Sequence, residues 1–338
     1  MRYIIILYFR FLDQSILSEN SKQENHYTIA FYNLENLFDI YDDPNTLDDD
    51  FTPEGRNKWN DKRYTRKIKK LGSVISQIGI EESGIPPVIV GVAEIENLKV
   101  VTDLINSKDL EMYNYGIVQY DSPDERGIDV ALLYQKEHFE LLDSEAFPLL
   151  LFDEEGERDY SRDILLVKGN LKSELTYFIV NHWPSRRKGT EETEIKRIKA
   201  ANLVHEIISK IKGETTDAKI IIVGDFNDNP NSPSIKQHLV SEDLYNPFES
   251  IYDKGEGSAT HDRTWYLFDQ IIVSKNFFDL ENNTLVFKRA EIFDEHFLKS
   301  WKGKRRGSPF RTYIGKWHQG GFSDHFPVYI TLQKNKKH

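Results

Sequence analysis

At 338 residues, 39% of them hydrophobic, the chain can bury a sizeable core and is one large domain or two ordinary ones. Its formal net charge of −11 works against the broad positive field that attracts nucleic acid regardless of sequence, while leaving room for a local basic groove. The absence of cysteine excludes a disulfide framework, a thiolate nucleophile and a cysteine-based zinc site.

The 20 Phe, 17 Tyr and many Ile-rich runs favour a sheet-based protein over a helical bundle. Residues 1–24 begin M-R-Y-I-I-I-L-Y-F-R-F-L, a basic start and a short apolar run that resemble a signal peptide or lipophilic leader. Arg10 and Asp13 interrupt it and no small-residue cleavage site follows, so export to a secreted, periplasmic or membrane-associated location is an expectation only. No segment reaches the roughly 20 apolar residues that span a bilayer.

Tyr27 to Tyr32 reads as the first strand and runs into Asn33-Leu34-Glu35-Asn36, with Asn33 and Glu35 spaced to share a face. An Asn that merely opens a turn is the competing reading. The acidic stretch Asp42 to Asp50 lacks the Gly and terminal Glu of a helix-loop-helix calcium site and reads as a solvated loop. From Trp59 to Ile80, the spacing of Ile68, Leu71, Val74, Ile75 and Ile78 predicts a helix whose polar face carries the basic cluster Lys62 to Lys70. Val88 to Glu94 is a second apolar strand, ending in a carboxylate, and Leu98 to Ile105 a second helix. Strand and helix alternate as in an α/β protein.

Shorter strands are expected at Tyr115 to Tyr120, Asp129 to Tyr134, Ile164 to Val167 and Leu175 to Val180. Arg162 begins one of them and is placed either to reach a phosphate or to form a surface ion pair. The last leads into Asn181-His182-Trp183-Pro184-Ser185-Arg186-Arg187. A lone histidine after a strand is more often a surface residue than a catalyst, but His182 stands between an apolar strand and a basic loop. Thr190 to Ile211 is the strongest helical pattern, with Ile195, Ile198, Ala201, Val204, Ile207 and Ile208 on one side.

Ile220 to Pro230 reads I-I-I-V-G-D-F-N-D-N-P. The β-branched run suits a strand buried on both faces, and Gly224 and Asn229-Pro230 mark its end. Alternation puts Asp225 and Asn227 on one side and Phe226 on the other. Such oxygen donors suit a hard cation like Mg²⁺ beside a substrate phosphate, although a plain strand exit uses the same letters. Trp265 to Val273 places Asp269 inside an apolar strand, where an unpaired carboxylate is costly and needs a partner. His325, in Ser323-Asp324-His325 ahead of the terminal strand Val328 to Leu332, is the candidate. A carboxylate on one ring nitrogen fixes the tautomer and leaves the other nitrogen to handle a proton; a purely structural Asp–His pair is the alternative.

Taken together, N-L-E-N at 33–36, V-A-E at 92–94, N-H-W-P at 181–184, G-D-F-N at 224–227, L-F-D-Q at 267–270 and S-D-H at 323–325 resemble the endonuclease/exonuclease/phosphatase superfamily. That superfamily includes DNase I-like nucleases, abasic-site endonucleases, sphingomyelinases and inositol-polyphosphate phosphatases. The resemblance implies an α/β fold over residues 25–335 as a single domain: a DNase I-like four-layered α/β sandwich of two packed mixed β-sheets flanked by helices. It also implies that Asn33 and Glu94 hold a metal with Asp324 near it, and that Glu35 matches a position acidic in some members. Asp225 and Asn227 would orient the attacking water and contact the phosphate, His182 would stabilise phosphoryl oxygens, and Asp269 with His325 would form the proton-handling dyad. The implied ion is Mg²⁺, with Mn²⁺ or Ca²⁺ as alternatives.

The expected activity is a metal-dependent nuclease acting on DNA or RNA. Arg162 and Arg186 are candidate phosphate contacts, and Arg186-Arg187-Lys188 and Lys302 to Arg306, interleaved with Trp301, Phe310, Tyr313 and Trp317, are candidates to track a backbone and stack bases. A phosphatase or phospholipase C-like enzyme on an inositol phosphate or sphingomyelin-type lipid is the alternative. A non-catalytic binding module is disfavoured because every expected ligand and dyad position carries a suitable residue.

Overall fold

The computed structural model describes residues 25–187, 189–280 and 283–335; the leader expectation lies outside the described residues, as does Lys188. The β-branched and aromatic runs build two six-stranded sheets. The first is ordered Leu285–Ile292, Val328–Lys334, His26–Leu37, Ile89–Ile95, Asp129–Gln135, Tyr115–Gln119. The second is ordered Leu244–Tyr245, Asp269–Ser274, Lys219–Asp225, Glu174–His182, Ile164–Leu171, Phe139–Phe147. Each has a parallel pair at its centre, His26–Leu37 with Ile89–Ile95 and Lys219–Asp225 with Glu174–His182, flanked by antiparallel neighbours.

Strand alternation explains the layers. Ile221 and Val223 point between the sheets, against a core that includes Phe31, Val180 and Ile330, while Ile220 and Ile222 point the other way. There they meet Ala201, Val204 and Ile207 of the helix Thr190–Glu214. The outer face of the first sheet is covered by Asp61–Ile75 and Leu98–Ile105, through Leu71, Val74, Val101 and Leu104. This is the expected four-layered α/β sandwich. Gly91 permits the close approach of the sheets, since a Cβ there would lie 2.6 Å from Val223 Cγ2 and 3.1 Å from Phe31 Cδ2. Among the described residues, no helix is long and apolar enough to cross a membrane.

Several expectations are corrected. The pattern from Trp59 to Ile80 is a helix only to Ile75; Gly79, at φ 63°, separates it from the turn Ile80–Ser83. Trp265 to Val273 is not one strand: Thr264–Tyr266 forms a hairpin with Ala259–His261, and the sheet strand begins at Asp269. Ile195 is 65% exposed, whereas Arg197 is fully buried on the stripe of Ala201, Val204 and Ile208. Likewise Lys67 leaves the polar face of its helix and is buried at 2% exposure. Phe139–Phe147 and Leu285–Ile292 are edge strands whose exposed polar residues hide any regular alternation.

Gly91→Val should destabilise the protein by about 1–3 kcal/mol, because an added side chain has to push apart two packed sheets. Urea unfolding measures it, and an unchanged midpoint would mean that the sheets have slack at this point.

Candidate active site

Parallel strands end on the same side, so Asn33, Glu94, His182 and Asp225 arrive together at one rim of the sandwich. Two bulges then aim the side chains. The pairing of His26–Leu37 with Ile89–Ile95 slips between Asn33 and Leu37, and that of Ile89–Ile95 with Asp129–Gln135 slips between Ala93 and Ile95. Glu35, Asn36 and Glu94 take left-handed backbone angles there, at φ 51°, 52° and 60°. As a result the Asn36 N–H donates to Glu94 Oε2 at 2.9 Å, and the Glu35 N–H to Asn33 Oδ1 at 2.9 Å.

Asn227 also departs from simple alternation. The strand ends at Asp225, and Asn227 sits on a left-handed turn at φ 50°, its N–H donating to Asp225 Oδ1 at 2.9 Å and its amide to the Trp183 carbonyl at 3.0 Å. Both side chains still face one cavity. Its volume is about 520 Å³, and Glu94, His182, Asp225, Asn227, Asp324 and His325 line it.

Asp269 lies behind the cavity at 0% exposure, with His325 Nδ1 at 2.7 Å from its Oδ2 and the Ser258 hydroxyl donating to the same oxygen. His325 Nε2 lies 3.9 Å from Asp225 Oδ2 and 4.0 Å from Asp324 Oδ1. His182 Nε2 is 3.9 Å from both Asp225 Oδ2 and Glu94 Oε1. Asn33 donates from Nδ2 to Asp225 Oδ2 at 3.0 Å, and Arg311 holds Asp324 Oδ2 at 2.6 Å.

These contacts divide the protons unevenly. Burial pulls the His325 pKa down, but Asp269 and Asp225 outweigh it and hold the imidazole well above its ordinary value. Burial pushes Asp225 up to about 7, with His325 opposing and Asp269 adding. His182 is driven well below its ordinary value by burial, then by Arg162 and Arg126, and is neutral. Among the described residues its buried Nδ1 has no hydrogen-bond partner.

The donor set fits a divalent ion. Glu94 Oε1 and Asp324 Oδ1 each lie too far from the nearest imidazole nitrogen for a hydrogen bond, and both are hard oxygen donors at the cavity wall. Ligand atoms of Asp225, Asp269 and His325 also fall within 4.8 Å of one another. Asp269 Oδ2 already accepts from His325 and Ser258, so that trio is better accounted for as a proton-handling group than as a complete ligand set.

Not every expected residue reaches the cavity. Glu35 accepts from the Thr312 and Tyr313 N–H groups and lies beside Lys67, whose ammonium also donates to Thr312 Oγ1 and to the Phe322 carbonyl at 2.7 Å. Its carboxylate anchors a loop rather than reaching the place expected of a metal ligand. Burial and Asp324 raise its pKa to about 7 against Lys67. Arg162 is also corrected from phosphate contact to brace: it donates to the carbonyls of His182 at 3.2 Å and Trp183 at 2.6 Å and pairs with Asp124 at 3.0 Å. Arg186 borders the cavity but is committed to the Asn227 carbonyl at 2.7 Å and to Asp228, a buried carboxylate that Arg197 holds from the other side at 2.6 Å. Sequence reasoning missed Ser258, Lys67, Asp228 and Arg197. Lys67 and Arg197 had left a signal, each falling four residues before an apolar position of its helix, Leu71 and Ala201.

A sandwich of two mixed sheets with an acid- and histidine-lined cavity at its strand ends defines the DNase I-like class of fold. The sequence profile of the Endonuclease/Exonuclease/phosphatase family matches residues 28–334, and the chain belongs to that family, whose members are phosphoester hydrolases. Many solved structures resemble it, three of which are as follows. A humanized Danio rerio TDP2 carrying 14 mutations is 14% identical, with 91% of this chain and 99% of that one covered at a TM-score of 0.57. A Bacteroides thetaiotaomicron protein of the same family is 16% identical over 92% and 99%, at 0.58. The mannosyl-6-phosphatase Bt3783 of that organism is 17% identical over 90% and 99%, at 0.55. A sequence search of curated proteins finds no match. At these identities the structural likeness establishes the fold alone.

In metal-free protein, stability should fall as pH rises from about 4 to 7. A carboxyl with a folded pKa raised to about 7, as at Asp225, keeps a proton that its unfolded form, with an ordinary pKa of about 3.9, has released, so each step up in that window favours unfolding. Asp225→Asn should flatten the slope in urea unfolding with chelator present. A variant slope equal to that of the parent would contradict the assignment.

Proposed function

We propose that the protein is a divalent-metal-dependent hydrolase of phosphodiester bonds, acting on nucleic acid by in-line attack of water. The observation that carries this reading is the Asp269–His325 pair at 2.7 Å, facing Asp225 and His182 across one cavity. Glu94 and Asp324 would hold the ion, Mg²⁺ before Mn²⁺ or Ca²⁺, and the ion would supply charge neutralisation at a phosphoryl oxygen. Asn33, expected as a metal ligand, already accepts from the Glu35 N–H and donates to Asp225, and would orient Asp225 from behind.

The remaining chemistry belongs to side chains. Asp225, with a pKa of about 7, can accept the proton of an attacking water near neutral pH. His325, kept protonated by the carboxylates around it, presents Nε2–H to a phosphoryl or departing oxygen. His182, neutral, has Nε2 between two carboxylate oxygens, which favours the proton there and leaves a donor facing the cavity. Asn227 uses one amide hydrogen on Trp183 and keeps the other.

A nuclease is favoured over a phosphatase because the cavity is not a closed cup. It shares Arg126, Ser185 and Arg187 with one neighbouring cleft and Thr260 with another, which suits a substrate that continues past the reacting phosphate. A Danio rerio TDP2 structure was solved with a single-strand DNA product, whereas the Bacteroides mannosyl-6-phosphatase puts a phosphatase on the same fold and motivates the second reading.

With Mg²⁺, the protein should nick supercoiled plasmid, and EDTA should stop it. His325→Ala and Asp225→Ala should each lower the rate by about 10²-fold or more while far-UV circular dichroism shows the fold retained. Intact plasmid alongside phosphate released from small phosphomonoesters would replace the nuclease with a phosphatase.

A further inference from the structure

We infer that the cleft beside His325, between the hairpin Ala259–His261/Thr264–Tyr266 and the loop closed by Lys299 and Pro309, is a second phosphate subsite that holds the nucleic-acid backbone beyond the scissile bond. This rests on reading the adjoining cavity as a phosphodiesterase site. The cleft has a volume of about 640 Å³, larger than the cavity itself, and the two meet at Thr260.

Charge gives the ligand class. Arg263, Lys304, Arg305 and Arg306 line the cleft against one carboxylate, Asp262, which lies 3.5 Å from His261 Nε2. Among the described residues, none of these four cations forms an ion pair within 4.0 Å, unlike Arg186, Arg197 and Arg311 nearby. Four uncompensated cations on one face of a chain with net charge −11 create a local positive field that an anion neutralises.

Geometry ties this cleft to the reacting centre. Ala259 is bridged to His325, the Phe326 N–H donates to the Ser258 carbonyl at 2.7 Å, and the Ser258 hydroxyl holds Asp269. The Trp265 indole stacks on Phe326 at 6.0 Å and 25°, fixing the hairpin against the segment that carries His325. The opposite wall is closed by the Lys299–Pro309 bridge and by two backbone hydrogen bonds of 2.8 Å between Ser300 and the residues Gly307 and Ser308. A substrate with a single phosphate can fill only the catalytic cavity. One with successive phosphodiesters can fill both, so the cleft selects oligonucleotides over isolated phosphoesters.

The test is the double variant Arg305→Glu/Arg306→Glu, with two readouts. Binding of a short fluorescein-labelled single-stranded DNA, followed by anisotropy in EDTA, should weaken at least about tenfold and lose about one unit of salt slope for each phosphate contact removed. Turnover of bis-p-nitrophenyl phosphate, which has one phosphate, should stay unchanged with Mg²⁺. If the charge reversal lowers the melting temperature, Arg305→Ala/Arg306→Ala carries the test with the same expectation. Unchanged DNA binding, equal loss of both readouts, or loss of binding to phosphatidylserine vesicles in place of DNA would overturn the subsite. DNA binding that depends on these arginines in a wild-type protein that hydrolyses no phosphodiester would uphold the subsite and remove the catalytic reading.

Discussion

Two carboxylates face each other across the second sheet, and much of the site follows from that. Asp225 and Asp269 are directly opposed on antiparallel strands, and both are buried, at 2% and 0% exposure. Like charges in that position repel, and burial removes the water that would screen them. His325 answers the repulsion by standing within 3.9 Å of one and 2.7 Å of the other, which is why it retains its proton and why Asp225 is poised to exchange one. The same requirement links segments far apart in the chain: Ser258, the strand Asp269–Ser274 and the loop ahead of Val328–Lys334 converge on the Asp269 carboxylate.

Around this pair the fold acts as a positioning device. The sandwich brings parallel strand ends to one rim, and bulges at Glu35–Asn36 and Glu94 set Glu94 at the cavity wall, held by the Asn36 N–H, at the cost of strained backbone. A second layer of buried cations then fixes loops that no strand reaches. Arg162 holds the carbonyls of His182 and Trp183, Arg186 and Arg197 close on Asp228 beneath Asn227, and Lys67 pins the loop at Thr312 and Phe322. Their charges are spent on structure, whereas the cations of the cleft beside His325 are left for a ligand.

The sequence made the layered sandwich legible wherever a strand is buried on both faces. Ile220 to Val223 and Val88 to Val92 announce themselves because every position is apolar, and the helix Leu98–Ile105 lies where it was expected. Asp269 and His325 were legible as a pair for a physical reason: a carboxylate in an apolar strand demands a partner. What stayed hidden depended on tertiary context. Edge strands such as Phe139–Phe147 show little periodicity because most of their length faces solvent. Lys67 was read onto a solvated face and Arg162 onto a phosphate or a surface ion pair, and both were misjudged where the interior supplied carbonyls and a carboxylate to satisfy them. A left-handed turn past the end of a strand leaves no mark that alternation can detect, so the route by which Asn227 reaches the cavity was not visible, though its side was.

A protonated His325, hydrogen-bonded through Nδ1 to Asp269, is the centre of the site, and NMR of the metal-free protein observes it directly. His325 should show a downfield Nδ1–H resonance and a ring that remains protonated well above its ordinary pKa near 6.5, both lost in Asp269→Asn. A His325 ring that titrates at or below that ordinary value, with no hydrogen-bonded Nδ1–H, would contradict it.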